Sequence, residues 1–400
     1  MLKSKDIICF SPSDWWGMNP SCTTHLMKYF SRDNRVIYVN PFSSDIIGSI
    51  GTTEKRRGLW GRILRKLKSL AKICVKINDS LYIVSPFFFP FQGIGWIDAV
   101  NNFLISLQLL VLFRFLSVRK PIVWVENLRA ADLFKIIVSD CIVYHVSDLF
   151  TDDSYIENQS ILVRRENKIL SNADLIICVS VALYDRLRTK FHNVSYVPHG
   201  VDYELFQNAM TLRSEMKELS GIAHPVAGYF GTLTSHNNIE LLEYCAEKLA
   251  YVHFVFAGQI TGGDYSKLKG LPNVTFLGKL PYDRIPLLCA NIDVGLLPWK
   301  MDAWIRNCNP LKMFEYMACG KPIVSVPIRE AENYPELVRV CETNEAFCEA
   351  IETMLRTDTG IQAKARMEVA ERNSWAAHVA TIGNLISDVL RSKKGVVQYG

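Results

Sequence analysis

The chain of 400 residues lacks most features that would assign it quickly to a class. It has no strong charge of one sign: 45 Lys and Arg stand against 40 Asp and Glu, a net +5. Spread over this length, that balance gives no case for a nucleic-acid partner. No two of the 11 cysteines have CxxC spacing, and most sit inside apolar runs such as Ile8-Cys9-Phe10 and Ile177-Cys178-Val179. They read as reduced core thiols, which excludes a disulfide framework or a zinc knuckle. No His, Asp and Glu cluster has metal-ligand spacing, so no metal site is expected from the sequence. No segment repeats with a period of 20–50 residues, which excludes a solenoid. The N-terminus has no h-region, so no signal peptide is expected. No apolar run reaches the ~20 residues of a membrane span: the longest charge-free stretch, Ala99–Phe113, holds Asn101, Asn102 and Gln108. It reads as a buried helix with one edge toward lipid.

What is present is an apolar half: 49% of residues are hydrophobic, enough for a large core. Short apolar strands alternate with helical patterns. Strands are expected at Ile7–Phe10, Val36–Val39, Leu81–Val84, Ile122–Val125, Ile142–His145, Leu175–Val179 and Val194–Val197. A second series follows at Val226–Phe230, His253–Ala257, Val274–Leu277, Val294–Leu297, Ile323–Ser325 and Val338–Val340. Strands without polar alternation, separated by helices, predict α/β architecture: two doubly wound, Rossmann-like parallel sheets covered on both faces. The expected division is 1–205, 206–373 and a last helix in 374–400, begun by Ser374 as N-cap and packing back toward the first domain. Two such domains facing across a cleft would hold a ligand at the carboxyl ends of their strands.

One segment has a charge character of its own. Residues 55–76 hold nine Lys or Arg and no acid. Leu59, Trp60, Ile63, Leu64, Leu67, Leu70, Ala71 and Cys74 fall at three- and four-residue steps, the pattern of a basic amphipathic helix. Such a helix suits an anionic membrane surface; the alternative is a solvated basic face packed on the core.

The segment from Asn309-Pro310-Leu311-Lys312 through Glu315 to Gly320 and Ser325 carries the most chemistry. Pro310 suits a helix start, Lys312 and Glu315 share one face near it, and Gly320 suits the helix end. A helix N-terminus with a Lys beside it attracts phosphate. This segment resembles the donor-binding helix of GT-B glycosyltransferases of the family 4 type, P-x-K-x-x-E-x-x-A-x-G-x-P-V. The teichuronic acid, capsule and exopolysaccharide enzymes, with a lysine in N-P-L-K-x-x-E, are the nearer subset. The resemblance extends along most of the chain, through Val226–Gly231, Asn273–Gly278, Pro281–Pro286, Ala290–Pro298, Ala173–Ser180, Tyr196–Asp202 and Ser374-Trp375.

The resemblance implies a metal-independent hexosyltransferase that takes a nucleotide sugar and needs no cofactor. It implies a lipid-linked or polysaccharide acceptor in surface-polysaccharide synthesis, and a cytoplasmic enzyme peripheral to the cell membrane. Donor contacts would come from Gly231, Thr232, Gly278, Asn309, Pro310, Leu311, Lys312 and Glu315. Lys312 would stabilise the departing nucleotide. Asp14, Trp16 and Gly17 would face acceptor, although Trp15 and Trp16 could equally cover the sheet end. Asp148, with His145 second, is the candidate general base; Asp148 is also placed to cap a helix. Three positions depart from the family: Asn307 replaces the first Glu of its two-Glu motif, and Thr232 and Asn237 replace its phosphate-gripping Arg and Lys. Those losses leave a non-catalytic assembly component, or a nucleotide-sugar epimerase of the same fold, as alternatives.

Overall fold

The computed structural model describes residues 2–17, 19–42, 73–89, 95–134, 136–148, 159–212 and 216–397. The chain divides into two compact units, one of 1–179, 183–197 and 379–400, the other of 180–182 and 198–378.

The first unit is built on an eight-stranded sheet. Its strands are β1 (Asp6–Phe10), β2 (Arg35–Val39), β3 (Cys74–Asn78), β4 (Leu81–Val84), β5 (Ile122–Val125), β6 (Cys141–Val146), β7 (Leu175–Cys178) and β8 (Val194–Tyr196). Their order is β3-β4-β2-β1-β5-β6-β7-β8. Neighbours run parallel except β3, which pairs antiparallel with β4 at one edge. The central strands are buried at all but one position, Ile142, which is why they carry no polar alternation. β3 is the part the sequence reading missed. Residues 73–76 belong to this strand region and not to the tail of a basic helix; the rest of that expected helix, 55–72, lies outside the described residues. An edge strand exposed along most of its length has no apolar face to betray it.

The second unit has six parallel strands: β9 (Val226–Phe230), β10 (His253–Ala257), β11 (Val274–Gly278), β12 (Val294–Leu297), β13 (Ile323–Ser325) and β14 (Val338–Val340). Their order is β11-β10-β9-β12-β13-β14. Side-chain caps start the covering helices. Asn238 accepts from Leu241 N–H, Thr343 from Ala346 N–H, and Thr359 with Gln362 forms a capping box. Each such cap is worth about 1 kcal/mol. Tyr203–Leu212 is helical, and Leu128–Leu133 is a short 3-10 turn. The last helix spans Trp375–Val397, and Ser374 Oγ accepts from Ala377 N–H as expected of an N-cap.

Helix Gly95–Phe115 corrects a second expectation. One face is buried, through Ile97, Ile105, Leu109 and Phe113. Its polar residues pin the neighbouring chain: Asn101 exchanges hydrogen bonds with the Phe89 backbone at 2.7 and 3.0 Å, and Gln108 with that of Phe87 at 2.8 Å both ways. The other face is not buried. Trp96, Val100, Phe103, Leu107, Val111 and Phe115 are exposed along it, Phe103 at 66% and Phe115 at 84%. Periodicity fails here because both faces are apolar and only packing tells them apart.

Candidate functional site

In the second unit, glycines end three adjacent strands: Gly231 after β9, Gly258 after β10 and Gly278 closing β11. They let the turns approach closely. A Cβ on Gly258 would lie 1.9 Å from Gly231 O, and Gly258 N–H donates to Gly278 O at 2.7 Å. Gly231 has φ +127°, a conformation side chains rarely adopt. Its own N–H donates to Ala257 O at 2.8 Å. What it supplies is space. A Cβ there would meet Lys312 Cε at 2.4 Å and Nζ at 2.7 Å.

Lys312 reaches this place from the first turn of helix Leu311–Ala318, with Pro310 at its N-cap. Its ammonium sits 5.4 Å from the Tyr229 ring centre and 5.3 Å from that of Trp299. The two aromatic faces hold a cation over the glycine turn. Glu315, one turn on, is buried, and burial pushes its carboxyl up to about 7. Lys312 and a hydrogen bond from Tyr282 pull the other way. A Lys and an acid of near-neutral affinity for protons therefore share one helix face above the strand ends.

The other expected donor residues gather around this pair, unequally. Asn309 and Pro310 are buried and Leu311 half-buried at the helix start; Thr232 is exposed in the turn, and Gly278 is exposed at φ +68°. Asn237 is wholly buried. Its Oδ1 accepts from Thr234 N–H at 2.8 Å and from Tyr265 OH at 3.1 Å, so it fastens the loop instead of charging it. Asn307 ends the short helix Ala303–Asn307 and donates to Ala303 O at 2.6 Å. The sequence reading missed Tyr229 and Trp299 as partners of Lys312. It also missed His236, in the loop after β9, whose Nδ1 lies 2.5 Å from Asp302 Oδ2 after β12. A lysine two strands from an aromatic pair leaves no signal in spacing.

The expected acceptor and base residues belong to the first unit. After β1, Trp16 N–H donates to Asp14 Oδ1 at 3.1 Å and Gly17 N–H to Asp14 O at 3.0 Å, a tight turn that leaves Trp16 exposed. Trp15 packs edge-on against Tyr38 at 5.0 Å, so one tryptophan of the pair covers the sheet and the other faces out. His145 is buried in β6 at 2% exposure, and Asp148 follows the strand, near enough for its charge to help raise the Cys22 thiol. The acids at 152 and 153 lie outside the described residues.

Two parallel α/β units with a glycine-ended sheet and a lysine-bearing helix define the GT-B fold, and solved structures of that class match it over the chain. A HepE of Anabaena, solved with UDP and glucose, has a TM-score of 0.65 at 17% identity, covering 97% of this chain and 100% of its own. The sucrose-phosphate synthase of Thermosynechococcus elongatus gives 0.69 at 14%, with the same coverage. At that identity these establish the fold. In sequence, the family model described as Glycosyl transferases group 1 matches residues 224–357, the stretch that holds Gly231, Lys312 and Glu315. TuaH of Bacillus subtilis (strain 168), which carries the name of a teichuronic acid biosynthesis glycosyltransferase, is 31% identical over 201 residues, 46% of this chain and 50% of its own. The chain thus spans about half the length of the curated relative it matches. The resemblance to GT-B glycosyltransferases read from the motifs is borne out by these matches.

Proposed function

We propose that this protein is a glycosyltransferase moving a hexosyl group from a nucleotide sugar to a lipid-linked or polysaccharide acceptor in surface-polysaccharide synthesis. The observation that carries the reading is Lys312 Nζ, held by two aromatic faces over the glycine turn at the end of β9. The donor diphosphate lies against this ammonium and the start of helix Leu311–Ala318, where charge on the departing nucleotide is neutralised without a metal on the phosphates. Glu315 accepts hydrogen bonds from donor hydroxyls. Asp148 takes the acceptor proton. The name of the B. subtilis relative and the UDP bound to the Anabaena neighbour support the substrate class.

The enzyme works at the cytoplasmic face of the membrane, as a peripheral protein. Seven exposed apolar side chains along helix Gly95–Phe115 and eight Lys or Arg without an acid in 55–72 are the two halves of an anionic-membrane anchor, one apolar and one electrostatic. The helix lies in the interface and does not cross, because its other face is buried in the unit.

Thermal unfolding with UDP-, GDP- and other nucleotide sugars, on wild type and Lys312→Ala, tests the donor site. One nucleotide at a hundred times its Kd raises stability by about 2.7 kcal/mol, or roughly 5–10 °C at 2–4 °C per kcal/mol, and Lys312→Ala abolishes the shift. No shift with any nucleotide would leave a non-catalytic assembly component, the role that the uncharged Thr232 and Asn237 also fit. Flotation with anionic vesicles tests the anchor: Phe103→Asp with Val111→Asp should release the protein, and retention of both on the vesicles would refute this face.

A further inference from the structure

At the carboxyl ends of β1, β5 and β6, three side chains from distant parts of the chain meet in the interior of the first unit. Cys22 opens helix Cys22–Phe30, and Glu126 directly follows β5. Glu126 is fixed there because its N–H donates to Phe10 O at 3.1 Å. His145 lies in β6 with its ring 5.0 Å from that of Trp124. Cys22 Sγ and His145 Nδ1 are each 3.8 Å from Glu126 Oε1, and the three atoms lie within 4.8 Å of one another. Exposures are 8%, 4% and 2% for Cys22, Glu126 and His145.

The cluster is not satisfied by what surrounds it. Among the described residues, Glu126 Oε2 and His145 Nδ1 have no hydrogen-bond partner, and Oε1 is met by the imidazole and by a long contact from a thiol. Among the described residues no Lys or Arg pairs with Glu126. A buried carboxylate in that state is costly unless a cation lies beside it. The donor atoms say which kind. One sulfur, one imidazole nitrogen and one carboxylate oxygen are a borderline-soft set; calcium and magnesium take oxygen ligands only. Tetrahedral zinc, with arms of about 2.0–2.3 Å, places its donors about 3.3–3.5 Å apart. Side-chain torsions need to draw Cys22 Sγ and His145 Nδ1 toward Oε1 by about 0.3–0.5 Å, and toward each other by up to about 1.3 Å.

We propose that Cys22, Glu126 and His145 bind one divalent transition-metal ion of the zinc class through Sγ, a carboxylate oxygen and Nδ1. Three protein ligands leave a fourth position open, as in zinc sites that carry a water. The proposal does not rest on the donor site. The ligands are 104 and 19 residues apart in the chain, so no spacing rule finds them.

The test is metal content and cobalt spectroscopy on full-length protein carrying no histidine tag. After dialysis, mass spectrometry should find about one zinc per chain. Cobalt(II) added to the metal-free protein should give thiolate-to-cobalt charge-transfer absorption. Cys22→Ser should lose that band, while Cys74→Ser, at the exposed thiol, should keep it. Losing a partner of a metal ligand costs 10–100-fold in affinity, so Glu126→Gln, which alters a direct ligand, should weaken binding by roughly 100-fold. Wild-type protein that neither retains zinc nor develops the band overturns the proposal, whether or not the variants fold. A band that persists in folded Cys22→Ser overturns it too.

Discussion

Replacing Glu315 with glutamine should make the second unit more stable at alkaline pH and leave it unchanged in acid. The carboxyl is buried on helix Leu311–Ala318 and titrates near 7 instead of its ordinary 4.5. A raised acid favours folding while protonated. Its contribution is fully present below about 4.5 and is lost as pH rises through about 7. The difference of about 2.5 pH units is on the order of 3 kcal/mol, at 1.36 per unit. Glutamine keeps the shape and cannot ionise. Wild type and variant should therefore melt together near pH 4, and the variant should melt higher above pH 7, by roughly 6–12 °C at 2–4 °C per kcal/mol. Thermal unfolding of both proteins from pH 4 to 8.5 decides it. A gap that stays constant across that range refutes the argument, because a packing change without a titration moves both ends equally. The nucleotide sugar adds a second sign. If sugar hydroxyls donate to Glu315, the bound form is the carboxylate, so the variant should bind its donor more weakly at pH 8 while being the more stable protein.

Gly231→Ala puts a methyl where Lys312 now lies, at φ +127°. It should lower stability by roughly 1–3 kcal/mol and reduce nucleotide binding as far as Lys312→Ala does; calorimetric titration showing near-wild-type affinity would argue against that seat for the lysine. Arg366 is fully buried, donating to Gly320 O at 2.9 and 3.1 Å and to Asp358 at 2.5 Å. Arg366→Met should cost about 3–5 kcal/mol in urea unfolding, since it strands a carboxylate and a carbonyl; a loss under about 1 kcal/mol would mean neither depends on the guanidinium.

Most strands of both sheets are legible in the sequence because they are buried on both faces and short. Val226–Phe230 and His253–Ala257 stand in the structure with the ends expected of them. Helix Leu311–Ala318 is legible for a different reason: Pro310, Lys312, Glu315 and Gly320 each serve a local rule of helix start, face or end. What is hidden depends on tertiary packing. β3 has no buried face, and Gly95–Phe115 has an apolar residue on nearly every side. Cys22, Glu126 and His145 come together through a sheet order that no local pattern encodes. At Gly231 a sequence shows that a turn needs glycine, and not that the room it leaves is taken by the side chain of Lys312.

Asn237 has a consequence for how this loop can change. Its amide oxygen holds two donors, Thr234 N–H and Tyr265 OH, in a site closed to solvent, and its backbone bridges to Trp299, one of the rings that seats Lys312. A lysine here would forfeit both acceptor contacts, bury a charge and loosen the ring beside the remaining cation. A cation gained at 237 would therefore be offset by the loss of the loop's fastener, whatever it adds in attraction for phosphate; the packing of this loop leaves the positive charge to Lys312 on the helix.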